Sequence, residues 1–223
     1  MNSSKHSKQS PAKQSPDNRD RVDPIQKWDG DSTLRRYFVA VLPTAAVQEQ
    51  VNTLKQELGE TYDCKPVWNS PPHVTLLPPF ERSPDHVSRL HHWLESVVAT
   101  MPKFELQFDG LGAFPPRVLF VDVVRSPELM KLQTELDIAF DEYEAPYESS
   151  HRPDSRRRHG DAFNPHMTLA RCRPKRRKGK NPFHAIWPEI CDRPFHASSP
   201  IETVILLEYL KGQWEICRDY PLS

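Results

Sequence analysis

Two pentapeptides carry the residue types best suited to chemistry, Pro72-His73-Val74-Thr75-Leu76 and Pro165-His166-Met167-Thr168-Leu169. Each reads as a strand start. Side chains of a strand alternate between faces, so a His and a Thr two positions apart point the same way while the Val or Met between them points to the core. Each strand then presents one imidazole and one hydroxyl, and if the two strands face each other, four polar groups surround a space the size of a phosphate. The unperturbed imidazole pKa of about 6.5 lets one His act as general base and the other as general acid near neutral pH. A Thr hydroxyl donates to a non-bridging phosphate oxygen as charge develops there. Such a set suits phosphoryl chemistry with no metal and no cofactor, and the chain contains neither a GxxxxGK(S/T) loop nor a GxGxxG loop.

A bare His-x-Ser/Thr pattern is not enough, since His86-Val-Ser88 and His196-Ala-Ser198 also match it. His86 falls in a predicted helix, where residues two apart diverge by about 200°. His196 lies between Pro194 and Pro200, in what reads as a loop. The chosen pair differs from both in sharing Pro-His-apolar-Thr-Leu at matched places. A metal site built from His91, His92, His184, Cys191 and His196 is the weaker alternative, because no standard ligand spacing occurs among them.

The elements that must position these residues follow from periodicity. Tyr37 to Leu42 is an apolar, β-favouring run ended by Pro43, and Thr44 starts a helix with Val47, Val51, Leu54 and Leu58 on one face. Lys65 to Trp68 reads as a short strand, Asn69 to Pro72 as a turn, and His73 to Leu77 as a strand closed by Pro78-Pro79. Ser83-Pro84 opens a second helix with Val87, Leu90, Leu94 and Val97 on its inner face. Two strands follow, Phe104 to Asp109 and Arg117 to Val124, divided at Gly110-Leu111-Gly112. A third helix opens at Ser126-Pro127 and buries Leu129, Leu132, Leu136 and Phe140. Pro165 to Ala170 is a strand, and Ile201 to Leu210 with Gln213 to Cys217 is a hairpin turned at Lys211-Gly212. The class is α+β, and the plan strand, helix, strand beginning Pro-His occurs twice.

The chain has 223 residues, enough for a sizeable core without disulfide staples. Residues 1–30 are polar and Pro-containing and read as a disordered tail ahead of a folded domain over 31–223. Cys64, Cys172, Cys191 and Cys217 form no CxxC pair and read as reduced structural thiols. The sequence holds no signal-like or membrane-spanning apolar stretch, so a cytoplasmic monomer with no membrane and no obligate protein partner is expected. Formal charge is zero, but eleven Lys/Arg and two Asp lie between Ser150 and Lys180, a local net of +9 that suits a polyanion. The basic loops at about 147–161 and 172–183 flank the second motif, where they could follow a nucleic-acid backbone. Trp68, Phe80 and Phe163 lie near the motifs and are candidates for stacking a base.

Beyond these readings the chain resembles the 2H phosphoesterases, in particular the 2′-5′ RNA ligase-like RNA 2′,3′-cyclic phosphodiesterases. The resemblance runs from Arg36 to Leu222. It includes Arg36-Tyr-Phe-Val-Ala-Val41, Gly110-Leu-Gly-Ala-Phe-Pro115, Ser126-Pro-Glu-Leu129 and Pro165-His-Met-Thr-Leu-Ala-Arg171. It implies two pseudo-symmetric lobes, each an antiparallel sheet with helices outside, enclosing a central cleft lined by both motifs. The implied substrate is an RNA end or small nucleotide carrying a 2′,3′-cyclic phosphate, hydrolysed to a 2′-phosphate. His73 would be the proton donor, His166 the proton acceptor, and Thr75 and Thr168 the phosphate binders. The reverse step would join RNA ends through a 2′-5′ bond, and a non-catalytic nucleotide- or RNA-binding member is the competing reading. Asn164 stands where the family often has Arg. Arg156, Arg157 or Arg158 would supply that charge, with Arg171 as a further phosphate or RNA contact.

Overall fold

Arg35–Val41 (β1) is buried on both faces beyond its first residue, as a central strand must be. It lies between β3 (Val74–Arg82) and β8 (Thr203–Leu210), and β9 (Gln213–Pro221) completes an antiparallel sheet of order β3-β1-β8-β9. The second sheet has the order β2-β6-β5-β4-β7, from β2 (Lys65–Pro66), β6 (His166–Arg171), β5 (Val118–Val123), β4 (Phe104–Phe114) and β7 (His196–Ile201). All pairings are antiparallel. This computed structural model describes residues 34–62, 64–144, 163–172 and 181–223. The predicted tail at 1–30, the basic loop at 147–161 with Arg156, Arg157 and Arg158, and positions 173–180 of the second basic segment lie outside the described residues.

The duplicated plan takes physical form in these sheets. β1 leads through α1 (Ala45–Thr61) to its antiparallel neighbour β3, and β5 leads through α3 (Pro127–Glu144) to its antiparallel neighbour β6. The helices cross between the halves: α1 packs on β6, β2 and β7, while α3 packs on β3 and on α2 (Val87–Val98). One apolar cluster therefore runs through both sheets, from Tyr37, Val39 and Val41 to Leu119, Val121 and Leu169. β3 and β6, the two motif strands, are neighbours in space.

Several boundaries differ from the sequence reading, each for a local reason. β3 does not stop at Pro78-Pro79; it continues to Arg82, because it is the sheet's edge strand and a register shift between Tyr37 and Val39 accommodates the prolines. β4 runs through Gly110, whose φ of 78° sits at a register shift between Phe108 and Leu111, and the chain turns instead at Phe114 to Arg117. A fourth helix, α4 (Phe183–Ile190), went unpredicted; it has eight residues and carries Pro188. His196-Ala197-Ser198 is a strand, not a loop, forming the outer strand β7 opposite Gln107 to Asp109. On α1 the buried stripe is Val47, Val51, Lys55 and Leu58, so a lysine takes a position expected to fall to Leu54.

Candidate active site

The face of each sheet opposite the shared core carries the motif side chains. On β3, Val74 and Leu76 are buried while Thr75 is half-buried, and His73 immediately before the strand is half-buried too. On β6, Met167 and Leu169 are buried while His166 and Thr168 are half-buried. Thr75 stands opposite Ala40 and Thr168 opposite Phe120. Neither Thr hydroxyl has a hydrogen-bond partner among the described residues, so both remain available.

Both strands bulge at the same place. Ala40 pairs with Thr75 and Val39 with Leu77, which leaves Leu76 as the extra residue. Phe120 pairs with Thr168 and Leu119 with Ala170, which leaves Leu169 extra. A one-residue bulge reverses the alternation beyond it. Arg171 accordingly joins the face of His166 and Thr168, and its charge reaches His73.

The two imidazoles are held alike. His73 Nδ1–H donates to the carbonyl of Pro71 over 2.7 Å, and His166 Nδ1–H donates to the carbonyl of Asn164 over 2.9 Å. A carbonyl can only accept, so this bond places the proton of each neutral ring on Nδ1 and leaves Nε2 as the basic nitrogen. Each acceptor is the residue before a proline, a position confined to extended backbone. Asn164 is further tied by its side chain, whose Oδ1 accepts from Arg125 Nη2 over 2.8 Å. Thus the residue standing where the resemblance implies an arginine supports His166 through its own carbonyl and recruits Arg125.

Aromatic rings wall the histidines. Phe38 lies 4.8 Å from the His73 ring, and Phe114 and Phe120 lie 4.8 and 5.2 Å from the His166 ring. Burial pushes the His73 pKa down to about 4, the Pro71 bond opposes this, and the charges of Lys55, His166 and Arg171 lower it further. His73 is therefore neutral at pH 7. Lys55, 1% exposed, projects from α1 with its ammonium 5.5 Å from the Trp68 ring, and burial alone lowers its pKa to about 8.

Of the aromatic candidates, Trp68 is 53% exposed, whereas Phe80 and Phe163 belong to the core cluster and are not available to stack a base. Phe38, Phe114, Phe120 and Lys55 are not among the residues that the sequence pattern singles out. The lysine inside an apolar helical stripe was the available signal; the phenylalanines gave none beyond alternation. The other His-x-Ser pairs take no part: His196 is exposed with Nδ1 2.9 Å from Asp109, and His86 ends the 3-10 turn Pro84–His86. His91 and His92 bond to Tyr220 and to the Ser88 carbonyl, and among the described residues no three His, Cys, Asp or Glu groups cluster to hold a metal ion.

With this geometry in place, the comparisons agree with one another. The family model described as the 2′-5′ RNA ligase superfamily matches residues 43–213. A Bacillus cereus protein named "Putative phosphoesterase" is 24% identical over 192 residues, covering 83% of this chain and 95% of its own. TT0787 of Thermus thermophilus superposes with a TM-score of 0.62 at 22% identity, covering 84% of this chain and 97% of its own. E. coli LigT complexed with 3′-AMP gives 0.59 at 20% identity, covering 85% and 99%, and LigT is also known complexed with phosphate, NADP+ and ATP. At these identities the solved structures establish the shared fold. No helix among the described residues is long and apolar enough to cross a membrane.

Proposed function

Because the chain belongs to the 2′-5′ RNA ligase superfamily, whose members are 2H phosphoesterases, we propose that it hydrolyses a 2′,3′-cyclic phosphate at an RNA or nucleotide end to a 2′-phosphate. Family membership supports a phosphoesterase in general. The finer reading rests on one observation: two imidazoles on neighbouring strands, each with Nδ1–H engaged by a main-chain carbonyl and a Thr hydroxyl on the same face.

The cyclic phosphate would sit between the strands, its non-bridging oxygens accepting from Thr75 and Thr168 and facing Arg171. His166 Nε2 takes a proton from water as the water oxygen bonds to phosphorus. The P–O3′ bond breaks, and O3′ receives its proton from His73 Nε2, leaving a 2′-phosphate and a 3′-hydroxyl. A His73 neutral at pH 7 cannot donate from Nε2, so the acid role requires the substrate's anion. Placed among Lys55, Arg171 and the two rings, the phosphate's negative charge offsets the cations that depress His73 and raises its pKa toward the working range. Attack by a 5′-hydroxyl instead of water would run the same steps toward a 2′-5′ bond, and water at its bulk concentration favours hydrolysis.

The test is product analysis on an oligonucleotide ending in a 2′,3′-cyclic phosphate and on 2′,3′-cyclic AMP. A 2′-phosphate product is expected from at least one. Saturable binding without any product would identify a nucleotide-binding member of the fold that does no chemistry.

A further inference from the structure

We propose that Arg36, Tyr209 and Trp214 form a second anion subsite on the cleft face of the first sheet, taking the phosphate on the 5′ side of the terminal nucleotide. This rests on the cleft being the phosphodiesterase site described above and adds a substrate class: RNA ends with at least one further phosphate, in preference to a cyclic mononucleotide.

The first observation is a buried cation without a counter-ion. Arg36 is 7% exposed, its Nη1 has no hydrogen-bond partner, and no carboxylate among the described residues forms an ion pair with it. Glu81 stands opposite it across the β1–β3 pairing. Glu208, on β8, is engaged by Arg35 at 2.8 Å. Among the described residues two aromatic rings flank the guanidinium, with its central carbon 5.8 Å from the centre of Tyr209 and 5.9 Å from that of Trp214. A ring face attracts the cation but cannot accept the in-plane N–H bonds of a guanidinium, so donors remain for an oxyanion.

The second observation is continuity with the catalytic histidine. Arg36, Phe38 and Ala40 alternate onto one face of β1, beside Tyr209, Leu207 and Ile205 of β8. On that face Phe38 touches Trp214 at 4.6 Å and His73 at 4.8 Å between ring centres. These residues, apart from Arg36 and His73, form their own apolar cluster, separate from the core on the other side of the sheet. Trp214 is fixed by its backbone N–H, which donates to the Asn69 carbonyl over 2.7 Å in the turn that leads to His73. An aromatic floor thus runs from the reacting phosphate to a guanidinium whose Nη1 has no partner. A planar fork at the end of an aromatic track suits the phosphodiester one step upstream, with a base or ribose lying over Phe38 and Trp214.

The test reads binding apart from turnover, using adenosine 3′-monophosphate and adenosine 3′,5′-bisphosphate on the full chain. The wild type is expected to bind the bisphosphate about tenfold more tightly, the scale of one charge-assisted hydrogen-bonded contact. Its log K should also fall more steeply with log salt for the bisphosphate. Arg36→Gln should remove the preference, and Arg36→Lys should restore part of it. Equal affinities or equal salt slopes in the wild type overturn the subsite, and they do so even where the variants fail to fold. A preference that survives in Arg36→Gln also overturns it, making Arg36 a structural cation. Absence of turnover with the preference intact would instead remove the phosphodiesterase reading and leave the anion subsite standing.

Discussion

His73 is bonded to Pro71, its Nδ1–H 2.7 Å from a carbonyl held by the proline that follows, and His166 repeats the arrangement with Asn164. The proline in each Pro-His pair therefore has a physical task. It confines the preceding residue to extended backbone, which aims that residue's carbonyl at the ring. Pro72→Ala should release this restraint and lower kcat roughly five- to tenfold, the worth of one hydrogen bond of about 1 kcal/mol. Melting measured beside kinetics should show little change, and an unaltered kcat would deny the carbonyl a positioning role.

In the proposed mechanism, His73→Ala and His166→Ala each remove one proton-transfer group. Each should cost a factor of about 10²–10⁴ in turnover of a cyclic phosphate. Both side chains are half-buried and face away from the core cluster, so circular dichroism and melting of the variants should match the parent. Full activity in both would refute the two-histidine mechanism.

Much of this architecture was legible because its signals are local. The apolar stripe Leu129, Leu132, Leu136 and Phe140 is buried as its spacing required, and the Lys211-Gly212 turn closes the β8–β9 hairpin with φ of 49° and 92°. The motif histidines stand out through a pattern that recurs, and both lie at the starts of neighbouring strands. What escaped depends on contacts distant in sequence. Pro78-Pro79 has the local signature of a strand terminator, yet an edge strand with a bulge tolerates it. The prolines around His196 suggest a loop, but it is in a strand, and its exposure beside Asp109 is what separates it from the site. The wall of Phe38, Phe114 and Phe120, and the approach of Lys55 from the other half's helix, follow from the crossing of α1 onto β6, which no local pattern announces.

The depressed pKa of His73 has two measurable consequences. Folded His73 titrates near 4 whereas an unfolded histidine titrates near 6.5, so between those values the unfolded chain binds more protons. This group's contribution to stability consequently falls as pH is lowered through that window. Histidine NMR should show one ring titrating near pH 4, absent from His73→Ala. Inorganic phosphate should move that titration upward, because an anion in the cleft offsets the surrounding cations. A midpoint that ignores phosphate would separate His73 from the anion site.

Gly112 makes a close approach possible. A Cβ there would lie 2.1 Å from the Phe120 ring, and Phe120 in turn packs 5.2 Å from the His166 ring. Gly112→Ala must push the ring toward His166 or bend β4 from β5, at a cost of about 1–3 kcal/mol in overpacking. Lower kcat together with a lower melting temperature is expected. Gly112→Ala with Phe120→Leu should recover part of both, whereas an inert Gly112→Ala would show that the ring has room to move.

Lys55 separates stability from function. The residue is 1% exposed, lacks a carboxylate partner among the described residues, and has its pKa lowered to about 8 by burial alone, a cost on the order of 3 kcal/mol. Lys55→Met keeps the length of the stem and removes that cost, so the variant should melt at a higher temperature than the parent at pH 7. The same change removes one of the charges that depress His73, so the low-pH imidazole titration should move up, and under the proposed placement of the phosphate it also removes a nearby cation, so KM for a cyclic phosphate should rise. The three shifts have one origin and must appear together. A variant that is stabilised without any change in the His73 titration or in KM would place Lys55 outside the electrostatics of the cleft and leave it as a buried charge of the α1–β6 packing alone.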